Sequence, residues 1–93
     1  MDLRVSISHW LPIITFCPVN RLPDLLYVTV TFEGGNFKEL YGVRKRIRKV
    51  AAWKLRFMEG IAMDLHDEFP DAVEVRVELI TGRHVVMIKG AKQ

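Results

Sequence analysis

The sequence predicts an α+β fold, an antiparallel four-stranded sheet with helices on one face. Two stretches of apolar alternation near the start and one near the end flank a long segment of helical spacing. The first alternation sets Leu3, Val5 and Ile7 against Arg4, Ser6 and Ser8. The second sets Leu26, Val28, Val30 and Phe32 against Tyr27, Thr29 and Thr31, the period of two of half-buried strands. Between them, residues 11–22 hold two of the four prolines and the single cysteine, with a third proline at 23, which predicts a structured loop rather than a tight hairpin. Gly34 and Gly35 stop the second strand, and Asn36 with Glu39 forms a capping pair that starts a helix near residue 37.

Apolar residues then recur at Leu40, Val43, Ile47, Val50 or Ala51, Leu55, Met58, Ala62, Leu65 and Phe69. The series is long for one globular helix. It reads as two consecutive helices broken between Lys49 and Trp53, or as one continuous helix, since no proline marks the break. Phe69-Pro70-Asp71 ends the helical region. Val73, Val75, Val77 and Leu79 alternate with Glu74, Arg76 and Glu78, Thr81-Gly82 makes a turn, and residues 84–89 complete a last strand. The expected order is ββααββ. Such a sheet leaves two edges, and assembly of identical chains into a ring or barrel is one way to pair them.

At 93 residues the chain reads as one domain, 1–93. A chain of this size buries only about 60 to 65% of the surface its unfolded form exposes, so self-association would add to its core. Composition is ordinary for a globular protein, 49% hydrophobic and 27% charged, with no run of 18 apolar residues and no cleavable signal pattern. A soluble, cytoplasmic protein with no membrane partner is expected. One cysteine forms no internal disulfide, and His9, His66 and His84 are far apart with no second cysteine near them, so no metal is expected.

The net charge of +3 conceals a polarity along the chain. Residues 44–56 carry seven of the 14 basic residues and no acid, whereas residues 59–78 carry seven of the 11 acids. Such a run is either a solvated helix face or the footprint of a phosphate backbone. Its density without compensating acids makes Arg44, Lys45, Arg46, Arg48, Lys49 and Lys54 candidate nucleic-acid contacts.

The cysteine lies in Phe16-Cys17-Pro18-Val19-Asn20-Arg21-Leu22-Pro23-Asp24. Pro18 and Pro23 disfavour helix for Cys17 and Leu22, so thiol and carboxylate hang on a stiff loop whose ends can face each other. One reading is a small buried thiol in a turn. The other is a nucleophile with a proton carrier.

The spacing from Cys17-Pro18 to Pro23-Asp24, followed by Tyr27-Val28-Thr29-Val30, resembles the nitrile-handling enzymes of the tunnelling-fold superfamily, the QueF group acting on 7-cyano-7-deazaguanine. The resemblance runs over about residues 16–89. It implies Cys17 as the nucleophile that forms a thioimide and Asp24 as general acid/base. Phe57-Met58-Glu59 looks like the group's Phe-His-Glu segment, which implies Glu59 as the carboxylate that anchors the base; Met58 stands where the group has histidine. The reductases of the group carry a Glu-Ser-Lys signature tied to NADPH, and here that stretch reads Gly34-Gly35-Asn36. Nor does a Gly-x-Gly-x-x-Gly loop replace it, so no redox cofactor is expected. Short length, the missing signature and the basic run together resemble the QueF-like archaeosine synthases, which convert the cyano base within tRNA to an amidine using ammonia. That group implies a homo-oligomer, a decamer of two facing pentamers.

The chemistry is consistent with the residue types. A nitrile carbon is a weak electrophile, and a thiolate is the side chain able to add to it at neutral pH. Free carboxyl and thiol pKa values lie about four to five units apart, so Asp24 can serve Cys17 only in a mostly dry pocket or by concerted proton movement. A carboxylate such as Glu59 accepts two hydrogen bonds from adjacent N–H donors of a guanine-like edge, its alternative being a solvent-facing helix charge. Trp10, Trp53 and Phe57 are either core residues or surfaces on which a flipped base stacks. His9, His66 and His84 stay outside the catalytic set. Three functions follow in order: amidine formation on tRNA, NADPH-dependent reduction of the free nitrile base, and RNA binding without catalysis.

Overall fold

Alternating strands and an amphipathic helical pair can bury their apolar sides only against one another, and they do. In a computed structural model describing residues 6–33, 40–80 and 84–90, the elements are β1 (Ser6–Phe16), β2 (Pro23–Glu33), α1 (Leu40–Ala51), α2 (Met58–Glu68), β3 (Glu74–Leu79) and β4 (Val85–Lys89). The strands form one antiparallel sheet in the order β1-β2-β3-β4. The expected α+β class and ββααββ order stand. The Asn36–Glu39 cap and the Thr81-Gly82 turn lie outside the described residues. No described helix is long and apolar enough to cross a membrane.

Pleating decides which side chains meet. His9, Leu11, Ile13 and Thr15 of β1 lie beside Val30, Val28, Leu26 and Asp24 of β2, and Val75 and Val77 of β3 continue the same face. Onto it pack Val43, Ile47 and Ala51 of α1 and Ile61, Ala62 and Leu65 of α2, all buried. The helices lie side by side, α1 over β1 and α2 over β3 and β4. Full burial of each such Leu, Ile or Val contributes about 1.5–3 kcal/mol. The opposite face is open and carries Trp10, its ring edge-on to Tyr27 at 5.9 Å, with Leu25 and Met87 part-exposed.

Two boundaries differ from the sequence expectation. The connection between the first strands does not begin at Leu11, because β1 runs through Pro12 to Phe16 and leaves a loop of residues 17–22. Pro12 fits because β1 is an edge strand. The backbone groups of Ile14 and Phe16 point away from β2, so those of Pro12, two residues earlier, do too, and its missing N–H removes no bond of the β1–β2 ladder.

The second difference is Leu55, which belongs to no helix. Trp53 ends α1 in the left-handed region, φ 65°, a conformation that costs a non-glycine residue about 1–2 kcal/mol. Its N–H donates to the Ile14 carbonyl at 2.6 Å. Phe16 N–H then donates to Lys54 O at 2.8 Å and Arg56 N–H to Phe16 O at 3.1 Å, so residues 53–56 run parallel along the outer edge of β1. Those bonds break the helical region at the place the sequence allowed but did not mark.

His9 is the anomaly of the core. It is 4% exposed, edge-on to Phe32 at 5.8 Å, and neither ring nitrogen has a hydrogen-bond partner. Burial pushes its pKa below the ordinary value, because the charged ring would lose its hydration. The contribution of neutral His9 is complete above the unfolded pKa of about 6.5 and is lost as pH falls through the lower folded value. His9→Leu should therefore flatten the fall of Tm between about pH 7 and pH 5 and raise acid-side stability by about 1–3 kcal/mol. Thermal denaturation across that range measures it; an unchanged slope would assign the acid sensitivity to other groups.

Candidate active site

The 17–22 loop is held by its own backbone. Cys17 N–H donates to Leu22 O at 3.0 Å, Arg21 N–H donates to Cys17 O at 2.7 Å, and Leu22 N–H donates to Asn20 Oδ1 at 3.0 Å. Arg21 closes the turn at φ 58°, the left-handed conformation glycine would take more cheaply. The prolines at 18 and 23 bracket this turn, so the ends of the loop face each other as expected. Cys17 itself is half-buried.

Register brings Asp24 to the same place. Thr15 pairs with Asp24 and Phe16 with Pro23, while Cys17 is bonded to Leu22. Asp24 heads the row Leu26, Val28, Val30, Phe32 on the helix-covered side, and Cys17, the first residue past β1, lies opposite Leu22 at the same end of the sheet.

Glu59 reaches that end by another route. Arg56, bonded through its N–H to Phe16 O, lays its side chain across Gly60 and forms a bidentate pair with Asp64. The distances are 2.7 Å from Nε to Oδ2 and 3.0 Å from Nη2 to Oδ1. A Cβ at position 60 would lie 2.9 Å from Arg56 Nε, so glycine makes room for the crossing. The pair anchors the start of α2 beside β1, and Glu59 sits in its first turn, where the helix dipole favours a carboxylate. Glu59 is exposed, and its Oε1 lies 3.5 Å from His84 Nε2, just before β4. Because Leu79 N–H bonds His84 O and Leu26 pairs with Leu79, His84 also belongs to the Asp24 end of the sheet.

His84 is the residue sequence reasoning left out. Its only signal was its position in the turn after β3, and the partner that gives it meaning is 25 residues away in sequence. His66, by contrast, is structural, its Nε2 2.8 Å from the Gly90 carbonyl. Cys17, Asp24 and Glu59 make no hydrogen bond to one another within the described chain. No group of three or more His, Cys, Asp or Glu suited to a metal occurs among the described residues.

The basic run divides into two parts. Arg46 donates from Nε to Glu68 Oε1 at 2.8 Å and from Nη2 to the Glu68 carbonyl at 2.9 Å, and its guanidinium lies 4.6 Å from the Phe69 ring centre. It joins α1 to the end of α2. Arg56 is held by Asp64. Lys45, Arg48, Lys49 and Lys54 are exposed and Arg44 half-buried. Trp10, Trp53 and Phe57, weighed above as core or stacking surfaces, are 60, 68 and 53% exposed, so none belongs to the core.

A ββααββ chain whose four strands pair in sequence, with both helices on one face, has the tunnelling fold, and its candidate chemistry lies at one end of that sheet. The chain is similar to the crystal structure of the archaeosine synthase QueF-Like in the apo form, with a TM-score of 0.72 and 15% sequence identity over 95% of each chain. At that identity the likeness shows the fold. No family model and no curated protein matches the chain.

The division of the basic run is testable by stability. Arg46→Gln should lose about 1 kcal/mol, combining an exposed ion pair with a cation–π contact, whereas Lys45→Gln and Lys49→Gln should stay within about 0.5 kcal/mol of the parent. Urea denaturation distinguishes the two, and equal losses at all three positions would contradict the division.

Proposed function

We propose that this chain is an amidinotransferase of the QueF-like archaeosine synthase type, acting on a nitrile-bearing base within tRNA. The observation that supports the reading is the register that pairs Thr15 with Asp24 and, through the Cys17–Leu22 backbone bond, brings the Cys17 turn to the Asp24 end of a tunnelling-fold sheet. The Cys17 sulfur adds to the nitrile carbon, forming a C–S bond, while Asp24 carries the thiol proton to the nitrile nitrogen. The product is a thioimide. Ammonia then attacks the same carbon and gives up a proton to Asp24, the C–S bond breaks, and the thiolate recovers that proton from Asp24 as the amidine forms. Oxidation states do not change, so no redox cofactor enters. Glu59 accepts the adjacent N–H donors of the base edge.

The basic residues fit a tRNA substrate. Arg44, Lys45, Arg48, Lys49 and Lys54 supply phosphate contacts, and Arg46, held by Glu68, adds its charge to the field without a direct contact. Self-association fits the edges. Residues 53–56 cover only the later half of β1's outer edge; nothing among the described residues pairs with the earlier half or with the outer edge of β4. A ring of copies joining these edges, two pentamers face to face, would pair them. A neighbouring copy would also supply the dry wall that Cys17 and Asp24 need, since neither lines the groove at Trp53 nor the one at His66.

Incubation with 7-cyano-7-deazaguanine should add the mass of the base to Cys17 and protect the thiol from alkylation. Cys17→Ala should abolish both, as read by intact-protein mass spectrometry. With ammonium and nitrile-bearing tRNA the amidine should form without NADPH oxidation; oxidation would instead favour nitrile reduction, and an unmodified protein would leave RNA binding alone. Replacing Arg44, Lys45, Arg48 and Lys49 with Gln should weaken tRNA binding and lower the slope of log affinity against log salt by about 3–4, with adduct formation on the free base retained. Native mass spectrometry should give ten copies of the 10.8-kDa chain.

A further inference from the structure

The turn that ends α1 also builds a groove. Because Trp53 leaves the helix to bond Ile14, its indole is carried out over the edge of β1, where it meets Phe16 at 6.2 Å with the rings tilted by 34°. Pro12, Ile14 and Leu25 come from the open-face rows of β1 and β2, while Ala52, Trp53 and Arg48 come from the end of α1 and the residues after it. With Ile13 these residues line an open, mostly apolar groove of about 290 Å³, and Arg48 is its one charged side chain. The volume is at the small end for ligand sites, suited to one planar ring system rather than a large ligand. None of Cys17, Asp24 and Glu59 lines it.

Trp53 is the informative member. A 68%-exposed indole contributes little to the fold, yet its backbone is fixed by a 2.6 Å hydrogen bond and an unfavourable φ. A ring held in place before binding loses little further freedom when a partner covers it. Its surroundings define that partner. Arg48 lines the same groove, Arg44, Lys45, Lys49 and Lys54 flank it in sequence, and residues 44–56 contain no acid. A flat aromatic surface beside concentrated positive charge suits a ligand that is both planar and anionic. Such a ligand is a nucleotide unit.

We infer that the Trp53–Arg48 groove holds one unpaired nucleotide of the RNA, its base against the indole and its phosphate near Arg48. This nucleotide is not the one that reacts. The groove adjoins Phe16, the residue before Cys17, so it is placed to take a neighbour of the reacting nucleotide in the same strand. Splaying that neighbour onto Trp53 would help remove the target base from its stack. The inference rests on RNA being the substrate and is independent of the chemistry at Cys17.

The test uses a W10F background, in which Trp53 is the sole tryptophan of the two in the chain. Its fluorescence is titrated with pentauridylate, with an abasic ribose-phosphate strand of equal length, and with duplex RNA. Pentauridylate should quench the emission and the other two should not. W53A should weaken pentauridylate binding about 5- to 100-fold, W53F should retain it within about threefold, and R48Q should lower the salt slope by about one. Unchanged emission, W53A affinity within about twofold of the parent, or equal affinity for the abasic strand would each overturn the proposal. The Cys17 adduct with the free cyano base, measured on the same proteins, separates the two readings. Quenching without an adduct removes the nitrile chemistry alone, and an adduct without quenching removes the groove alone.

Discussion

The structure turns on three backbone hydrogen bonds at the edge of β1. Trp53 to Ile14, Phe16 to Lys54 and Arg56 to Phe16 stitch the inter-helix connection onto the sheet through a single parallel bridge, Phe16 with Leu55. They end α1, fix where α2 begins, and bring the first turn of α2 to the end of the sheet where β1 passes into the Cys17 loop. The cost is a tryptophan in the left-handed region. The return is satisfaction of edge groups that would otherwise be left to solvent and a fixed distance between the thiol hairpin and α2.

Electrostatics follows the same division of labour. Two of the seven cations in residues 44–56 are tied to acids of α2, Arg46 to Glu68 and Arg56 to Asp64, and these pairs set the helices against each other and against β1. The charge asymmetry along the sequence is therefore partly neutralised in space. Of the other cations of α1, Arg48 lines the Trp53 groove, Lys45 and Lys49 are exposed and Arg44 is half-buried. A helix that packs through Val43, Ile47 and Ala51 has no place for its cations on that side.

The candidate site gathers residues that no local signal connects. Cys17 and Asp24 come to the same end of the sheet because a six-residue loop returns the chain in register. Glu59 arrives through the Arg56–Asp64 anchor, and His84 through the pairing of β3 with β4. His84 puts an imidazole beside Glu59, whereas Met58, at the sequence position of the resembled group's histidine, has none. The arrangement lies at one end of a sheet whose outer β4 edge pairs with nothing among the described residues.

The sequence by itself determined the elements and their order. Alternation of two and spacing of three to four are local consequences of how strands and helices expose their sides, and they were legible at β2, β3, α1 and α2. The proline-bracketed Cys17–Asp24 loop was legible for the same reason. Tertiary structure alone decided three things: that β1 continues through Pro12, that the helical region breaks at Trp53, and that His9 is core while Trp53 is not. Each depends on which backbone edge or side-chain face finds a partner distant in sequence. Pro12 is tolerated only because its strand is an edge, Leu55 leaves the helical series only because β1 pairs with it, and His84 meets Glu59 only after the sheet has formed. Local spacing carries no record of such pairings.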